Sequence, residues 1–498
     1  MKNLYDTIII GAGHNGLVAA AYLAKQGKKV LVLERRAIVG GSVVTESFGD
    51  GFDVDSVQTS GNLRPDIIRD LKLDLDGTSR PARSPFISLQ PDGNHLTFNP
   101  DPLKTAESIE RFSSKDATRW KEFVRFIGKS AKILENAYST IMPRLPMNFS
   151  MKEGLGLMEL GLNLRLAGQK DMLNFIRALP MTAQEFVEEY FESEAVKAAV
   201  ASLGIYGVTL GPMGAGTGYT LIHNWMNRGG MAHLNGGKAG EITTALANTV
   251  KSFDGEIRTD AEVTKICVEN QAARSVMLAS GEEIPANTIL SSADPKHTLL
   301  KLVGPMELPP EFVWQAQSIK MRGSVAKVHL LTDGNHGIPS GTLVLAPSIK
   351  YLEKAYDAAK YGEISEKPYL EVTTSGNVVS IHFQFAPYHL RSSEWKVEGS
   401  KVEKIATDTL AEYFPNLKSS VVNRQSITPK DLEETYGLTE GDINHGQLML
   451  DQFLFMRPIP GWSDHKTPID NLYLCGSGVH GGGGVSGAAG RNVVKVLK

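Results

Sequence analysis

Residues 6–34 read DTIIIGAGHNGLVAAAYLAKQGKKVLVLE, and the rest of the chain is organised around them. The apolar, β-branched run at residues 7–10 is typical of a strand buried in a parallel sheet, and it leads directly into glycines with GxGxxG spacing. Small apolar residues with helical spacing follow, and Gly27 ends that helix. Residues 29–33 indicate a second buried strand, which ends at Glu34. This order of elements predicts a complete βαβ unit.

The glycines of this unit have different physical roles. Gly11 permits the tight turn, Gly13 lets the backbone approach a pyrophosphate, and Gly16 lets the helix pack close to the strand. The helix amino terminus offers free N–H groups and partial positive charge to phosphates. Glu34, eighteen residues after Gly16, is placed to accept hydrogen bonds from ribose hydroxyls. We therefore predict dinucleotide binding rather than a merely structural turn.

The sequence VGGS at residues 39–42 indicates which dinucleotide is bound. A second glycine pair lets backbone N–H groups reach the pyrophosphate from another side, which nicotinamide-binding units do not need, so the sequence favours FAD. Arg35 and Arg36 could instead indicate the 2′-phosphate of NADP, but Glu34 would repel that phosphate. We interpret the two arginines as solvated residues at the end of a strand.

Length, charge and cysteine content narrow the class of protein. A chain of 498 residues is too long for one core, and its formal net charge of -3 gives no support for nucleic-acid binding. Cys267 and Cys475 lie in apolar runs without CxxC spacing, so we expect two core residues and neither a disulfide nor a metal site. Few residues precede the first strand, and no apolar run is long enough to span a membrane. We expect a cytoplasmic protein, with or without peripheral membrane attachment.

Strand signals between residues 256 and 291, and again near residue 472, indicate that the chain returns twice to the cofactor domain. The predicted fold class is α/β, with a Rossmann-type FAD-binding domain interleaved in sequence with a mixed α+β substrate domain that includes a helical part. The predicted FAD-binding domain comprises residues 1–75, 230–300 and 424–498. The predicted substrate domain comprises residues 76–229 and 301–423.

Residues 141–182 are rich in methionine and leucine, with six of the fifteen methionines of the chain. Such residues form an adaptable apolar surface, although stripes of this kind are more often plain core. The interrupting charges exclude a membrane span but permit a helix that lies flat on a bilayer. We expect this segment to form part of a substrate entrance that touches a membrane surface or a long apolar substrate. Burial inside the helical part or in a subunit interface is the alternative.

Several motifs together carry a family resemblance. They are GAGHNG, the VGG that follows LER, GGKAGEITTAL, SSADP, DQFLFMRPIPGW and LYLCGSGVHGGGGVSGAAGRN. With these motifs the chain resembles the FAD-dependent phytoene-desaturase-like oxidoreductases, in the branch that holds carotene ketolase and the pyridine-nucleotide-disulfide-oxidoreductase-domain protein 2. The resemblance spans nearly the whole chain, and the carboxy-terminal motif is its most specific part.

The resemblance implies one FAD, no bound nicotinamide, and a lipophilic, often isoprenoid, substrate that gives a hydride to the flavin. Gly476 and Ser477 would meet the pyrophosphate and ribityl chain, Val485 the flavin ring, and the Val263 backbone the adenine. Ser42 stands where many flavoproteins have Arg, and Ser477 where many have Asp. The candidate cofactor-binding residues are Gly11, Gly13, His14, Asn15, Gly16, Glu34, Arg35, Gly40, Gly41, Ser42, Val263, Gly476, Ser477 and Val485.

Hydride abstraction depends on geometry and a poised flavin more than on acid–base residues, so the lack of a catalytic triad is expected. His480, in the glycine loop, is the candidate for proton handling, with a purely structural role as the alternative. Arg457 is the candidate for a polar group near the flavin ring, unless it pairs with an acid. Tyr219 and His223 are weaker candidates, which we assign to cavity packing.

Two classes of function remain open. The first is a FAD-dependent oxidoreductase of the desaturase or dehydrogenase type that acts on a hydrophobic, isoprenoid or carotenoid-like substrate. The second is a flavin-containing binding or assembly factor without turnover, and a redox-neutral flavin isomerase is a further alternative. Sequence does not separate desaturation from ketolation, because both start from the same cofactor geometry.

Overall fold

The computed structural model describes residues 4–49, 51–58, 62–75, 84–145, 154, 158, 161–162, 164–166, 168–231 and 238–497. The α-helices are His14–Lys25, Pro65–Leu71, Pro102–Glu110, Ser114–Ser139, Gln169–Ala178, Ala183–Glu188, Glu194–Ile205, Thr217–Arg228, Ala239–Ser252, Pro310–Ser318, Ile349–Lys360, Trp395–Ala411, Leu417–Ser420, Pro429–Tyr436 and Ala488–Val496. A π-helix spans His297–Val303, and short 3₁₀ turns lie at Pro305–Glu307, Thr439–Gly441, Leu450–Gln452 and Leu454–Met456.

The first sheet has seven strands and contains the predicted βαβ unit. Its parallel part has the order Glu256–Arg258, Val30–Leu33, Tyr5–Ile10, Glu283–Ser291 and Leu472–Leu474. The long strand Glu283–Ser291 also pairs antiparallel with Ala272–Leu278, which pairs with Val263–Glu269. All four side chains of Val30–Leu33 are apolar and buried, so both faces of this strand are covered, as expected for a parallel sheet between helices. The Rossmann-type α/β class is confirmed.

The second sheet also has seven strands and forms a mixed, largely antiparallel layer. Its strand order is Val421–Ile427, Val325–Thr332, Val378–Gln384, Tyr369–Ser375, Thr342–Val344, Phe86–Ser88 and Leu96–Phe98. One face is apolar and packs on the helix Trp395–Ala411. The other face carries polar side chains at its centre, where Lys327 is paired in register with His382, which is paired with Glu371. Strand alternation thus produces a buried row of ionisable side chains.

The two sheets draw on interleaved parts of the sequence. Strands of the first sheet come from residues 5–33, 256–291 and 472–474. The strand Val421–Ile427 lies in the second sheet, so the predicted boundary between residues 423 and 424 falls inside a strand. The exact division of the chain into domains stays a prediction.

The helical part is built around the long helix Ser114–Ser139. The hydroxyl of Ser113 accepts a hydrogen bond from the Asp116 N–H and caps the helix start. A stripe with helical spacing, which includes Trp120, Phe123 and Ile127, packs into a large aromatic and aliphatic cluster. The last turn of the helix therefore lies next to the glycine loop near the carboxyl end of the chain, and its carbonyl groups accept hydrogen bonds from His480 and Asn492.

The methionine-rich segment is only partly described, because residues 146–153, 155–157, 159–160, 163 and 167 lie outside the described ranges. Met142 is buried in the fold, whereas Met158, Leu162 and Leu166 expose 66%, 56% and 74% of their surface. Leu173 and Ile176 continue the exposed apolar stretch on the next helix, Gln169–Ala178. Across the part of the chain that the structure describes, no helix is both long enough and apolar enough to cross a bilayer.

Both cysteines are free thiols. Cys475 is fully buried and packs in an apolar core of the first sheet, as expected. Cys267 is only half-buried, so the expectation that it is a core residue is wrong. It lies on the antiparallel strand Val263–Glu269, in which only Val263 and Ile266 are buried.

Candidate functional site

A cleft lies at the carboxyl ends of the strands Tyr5–Ile10 and Val30–Leu33. This end of a parallel sheet is where α/β folds bind their ligands. The predicted cofactor residues that line the cleft are Gly11, Gly13, His14, Asn15, Glu34, Arg35, Gly41, Ser42, Val263, Gly476 and Ser477. Gly16, Gly40 and Val485 do not line it.

The glycines divide into two groups by what a side chain would meet. A Cβ atom on Gly13 would meet no protein atom within 4 Å, so this position faces open space in the cleft. On Gly16 a Cβ would lie 2.4 Å from the Gly11 carbonyl oxygen, and on Gly40 it would lie 2.5 Å from that of Val43. Gly13 therefore leaves room for a ligand, whereas Gly16 and Gly40 permit close packing of the chain.

The helix His14–Lys25 starts at the cleft. Its amino-terminal cap is Gly13, which offers no side-chain acceptor to the first-turn N–H groups. No acidic side chain lies in that turn. The first-turn N–H groups and the positive end of the helix dipole are thus available to an anion, and a pyrophosphate fits this arrangement.

Glu34 is buried at the end of the second strand, beside the glycine turn. Its carboxylate accepts hydrogen bonds from the Ala12 N–H over 2.8 Å and from the Arg36 N–H over 3.0 Å. Each carboxylate oxygen has a second lone pair, so Glu34 can hold the turn and accept a ribose hydroxyl at the same time.

Arg35 is exposed, as predicted, although it also bonds to the protein, whereas Arg36 is largely buried, so the interpretation of Arg36 as a solvated residue is wrong. Arg35 donates to the last carbonyl groups of the helix Pro429–Tyr436, over 2.7 and 2.9 Å. Arg36 forms an ion pair with Glu46 and lies 4.8 Å over the ring of Tyr436. The two arginines attach a helix from the far end of the chain to the rim of the cleft, a partner that the local sequence does not reveal.

The opposite wall of the cleft was not predicted. It is formed in part by His297, Tyr436, Leu438 and His445. His445 has a backbone φ of +57°, a conformation that is uncommon outside glycine, and burial lowers the pKa of its imidazole. No sequence motif marks these residues, because they reach the cleft only through the packing of the second half of the chain.

The structure does not place the two candidate catalytic residues on the cleft. His480 is fully buried, and its Nε2 atom donates to the Ala137 carbonyl over 3.0 Å. Burial lowers the pKa of His480 to about 3, so the imidazole is neutral at physiological pH. Its role in proton handling stays a prediction.

Arg457 is also buried, and burial lowers the pKa of its guanidinium. It donates to backbone carbonyls rather than to an acid, including those of Asn444 over 2.8 Å and Ser477 over 2.9 Å. Arg457 therefore links the segment before the last strand to a residue of the cleft. A role at the flavin ring stays a prediction.

Val485, Tyr219 and His223 do not line the cleft. Val485 is buried in a small apolar cluster with Val43 and Ala239, and its contact with a flavin ring stays a prediction. Tyr219 and His223 are fully buried in the helical part, where they belong to a hydrogen-bonded network rather than only to packing. Within the described ranges, no group of three or more His, Cys, Asp or Glu is arranged to hold a metal ion.

Comparison with known proteins decides what the cleft binds. Residues 16–491 match the model of the family described as flavin containing amine oxidoreductase. The chain belongs to this family. FAD is its cofactor, and the helix start, the open position at Gly13 and the Glu34 carboxylate are the features that fit the phosphates and a ribose of that group. The predicted cofactor and family are confirmed.

Members of several oxidoreductase types are similar over almost their whole length. The pyridine nucleotide-disulfide oxidoreductase domain-containing protein 2 of Rattus norvegicus is 31% identical, covering 100% of this chain and 94% of that protein. A component of the limonene dehydrogenase of Castellaniella defragrans is 26% identical, covering 99% and 94%. A lycopene-forming phytoene desaturase of Pseudescherichia vulneris is 24% identical, covering 97% and 96%.

A solved structure supports the fold. An oxidoreductase from Methanosarcina mazei superposes with a TM-score of 0.60 at 17% identity, covering 99% of this chain and 100% of that one. At this identity the match shows a common architecture, with a Rossmann FAD domain joined to a substrate domain, and it does not identify the substrate.

Proposed function

We propose that this protein is a FAD-dependent dehydrogenase or desaturase that takes a hydride from a hydrophobic, isoprenoid-like substrate. The observation that carries the proposal is the apolar surface on the segment before and within the helix Gln169–Ala178. Five large apolar side chains are at least half exposed there, namely Met158, Leu162, Leu166, Leu173 and Ile176. A surface of this kind suits contact with a lipid surface or a long apolar molecule.

The names of two relatives support the same substrate class. Limonene and phytoene are hydrocarbons, and the proteins named for their dehydrogenation and desaturation resemble this chain over nearly its full length. A hydrocarbon offers a flavoenzyme no acidic or basic group, so recognition depends on apolar contact and orientation. In agreement with this requirement, the side chains of His480 and Arg457 donate hydrogen bonds to backbone carbonyls of the protein.

When bound, FAD would accept a hydride equivalent from one substrate C–H bond, and the neighbouring carbon would lose a proton to the medium as the double bond forms. The residues of the chain have three tasks. The turn at Gly13 and the helix that follows hold the pyrophosphate, Glu34 orients the ribose, and the second sheet and helical part exclude water from the reacting carbon. Peripheral attachment through the exposed apolar stretch would bring a membrane-dissolved substrate to the enzyme.

Anaerobic flavin reduction tests this proposal. The purified yellow protein is mixed in detergent micelles with limonene, phytoene or squalene, and the visible flavin absorbance and the extracted lipids are followed. We expect at least one of these lipids to bleach the flavin and to yield a product with two hydrogen atoms fewer. Free FAD with the same lipids is the control.

The alternatives give other results in the same experiment. A flavin that dithionite reduces but none of the lipids bleaches would indicate a binding or assembly factor. A rearranged lipid of unchanged mass, without net bleaching, would indicate a redox-neutral isomerase.

A further inference from the structure

A chain of buried hydrogen bonds runs through the helical part towards the glycine loop. The hydroxyl of Tyr138 lies 2.7 Å from the hydroxyl of Tyr219 and 2.8 Å from Nδ1 of His223. On the other side of the same imidazole, Nε2 of His223 lies 2.8 Å from the side-chain nitrogen of Asn227. These four residues connect the last turn of the helix Ser114–Ser139 to the helix Thr217–Arg228.

The direction of this chain follows from its end at Asn227. The Asn227 amide nitrogen also lies 3.3 Å from the Gly483 carbonyl, so it is a donor and Nε2 of His223 must accept. Burial lowers the pKa of His223 to about 3, so its single proton is on Nδ1 and is donated to Tyr138. Burial also raises the pKa of Tyr138 and that of Tyr219, so both phenols are neutral, and Tyr138 donates to Tyr219.

Three of the four glycines at residues 481–484 pack against these residues, and the fourth, Gly482, packs against the backbone of Ser477. A Cβ atom on Gly481 would lie 2.8 Å from the Tyr138 carbonyl oxygen. A Cβ on Gly483 would lie 3.0 Å from the His223 ring, and one on Gly484 would lie 3.0 Å from the Asn227 side chain. All three glycines have positive φ values, of 78°, 92° and 71°. At Gly483 and Gly484 the side chains of His223 and Asn227 occupy the space where a Cβ atom would lie.

Further hydrogen bonds attach the same helix end to the elements on both sides of the loop. The Ala137 carbonyl accepts from His480, and the Tyr138 carbonyl accepts from the Asn492 amide over 2.8 Å, in the terminal helix Ala488–Val496. The loop begins just after Ser477, which lines the FAD cleft. Residues 480–484 of the loop are therefore held against this helix end and the network.

We propose that Tyr138 and His223 are positioning residues for FAD, which hold the glycine run 481–484 in place and thereby set the affinity and the environment of the flavin. The proposal rests on the proposed function only in that FAD is bound at the cleft. It extends that function by assigning a cofactor-positioning role to side chains of the helical part, which do not line the cleft. A network that merely packed the core would stabilise the protein without affecting the flavin.

The test compares Tyr138→Phe with Tyr351→Phe. Tyr138→Phe removes a buried phenol hydroxyl and Tyr351→Phe a half-buried one, which donates to the Pro368 carbonyl over 2.9 Å and has no bond to the network or the loop among those of the described residues. The measurements are the Kd for FAD by titration into apoprotein, the visible spectrum of the bound flavin, and the thermal unfolding of the apoprotein. We expect Tyr138→Phe to weaken FAD binding about tenfold and to shift the flavin spectrum, and Tyr351→Phe to leave both unchanged.

A second variant keeps the test decisive if Tyr138→Phe does not fold. Asn227→Leu removes the donor to the Gly483 carbonyl at a half-buried position, and we expect it to weaken FAD binding as well. In the double variant the losses should be less than additive, because both residues act through one chain. Lower thermal stability with unchanged FAD affinity and spectrum would overturn the proposal. A wild-type protein that binds FAD but oxidises no lipid would instead refute the proposed substrate and leave this test intact.

Discussion

The side-chain amide of Asn15 donates to the hydroxyl of Ser477 over 3.1 Å and joins two residues that are 462 positions apart in the chain. Asn15 belongs to the first glycine turn and Ser477 to the strand end before the carboxy-terminal glycine loop. Both line the FAD cleft. The cleft therefore forms only when the two ends of the chain meet on the first sheet.

Replacing Ser477 tests this junction. In Ser477→Ala the Asn15 amide loses a buried partner, so we expect the free energy of unfolding to fall by about 1 kcal/mol and FAD to bind a few-fold more weakly. Urea unfolding and FAD titration measure the two effects. Ser419→Ala removes an exposed hydroxyl of the second sheet region and serves as the control. Equal behaviour of the two variants would show that the hydrogen bond has no role in FAD binding.

Substitution of Gly13 should separate FAD binding from folding. A side chain there would project into open space rather than into protein, so Gly13→Val should fold and lose most of its FAD because the side chain occupies the pyrophosphate position. Absorbance of FAD released by heat from the purified protein gives the occupancy. Gly128→Ala, on the exposed face of the helix Ser114–Ser139, should keep full FAD content. Normal FAD occupancy in Gly13→Val would refute the assigned site.

Pyridine nucleotides should be poor reductants of this flavin. The first βαβ unit is the only stretch of the sequence in which strand, GxGxxG, helix, strand and acid occur in order. We therefore expect NADH and NADPH to reduce the flavin slowly and without saturation in an anaerobic stopped-flow experiment. Dithionite provides the positive control, and fast saturable reduction by NADPH at micromolar concentration would contradict this expectation.

Lys327 should reduce stability at neutral pH. Its side chain is 1% exposed, its Nζ has no hydrogen-bond partner among the described residues, and burial lowers its pKa to about 8. The charge of Glu371 opposes this shift, and that of Arg228 adds to it. We expect Lys327→Met to raise the free energy of unfolding near pH 7 by about 1–3 kcal/mol.

The pH dependence gives an independent check on Lys327. The folded protein releases this proton near pH 8, whereas the unfolded chain keeps it up to the ordinary lysine pKa of 10.5. Between these values the unfolded state binds more protons, so the wild-type protein should gain stability as the pH rises. Lys327→Met should lack this increase of stability with pH. Lys350 is exposed, so the control variant Lys350→Met should retain the increase. The free energies of unfolding are measured with urea near pH 7 and about pH 10. An increase of equal size in Lys327→Met and in the wild-type protein would contradict the lowered pKa of Lys327.

The exposed apolar stretch should mediate contact with lipid. Changing Met158, Leu162 and Leu166 together to serine should reduce co-sedimentation with liposomes or the use of lipophilic substrates while FAD content and solubility are retained. The matched control changes Leu103, Met306 and Val397 to serine, since these residues are also strongly exposed but lie elsewhere on the chain. Loss of flavin or of solubility in the first variant would indicate a core segment, and unchanged behaviour would exclude both roles.

Local patterns in the sequence were sufficient for the framework of the molecule. The strand signals between residues 256 and 291 correspond to four observed strands, and the signal near residue 472 corresponds to the strand Leu472–Leu474. The βαβ unit and FAD were also predictable, because glycine spacing, strand and helix periodicity and the acid at residue 34 all lie within a short stretch and depend on local backbone geometry.

Contacts between distant residues decided the rest. The row of Lys327, His382 and Glu371 depends on strand register, and the partners of Arg35 lie about four hundred residues away. The sequence predicts a glycine loop near the flavin, but only the tertiary structure shows that the run 481–484 packs against Tyr138 and His223. The spacing of residues along the chain determines backbone conformation, whereas burial, pKa and hydrogen-bond partners depend on which distant side chains fold against them. For this reason the sequence predicted the cofactor and one wall of its cleft, whereas only the tertiary structure decided the opposite wall and the contacts between the helical part and the glycine loop.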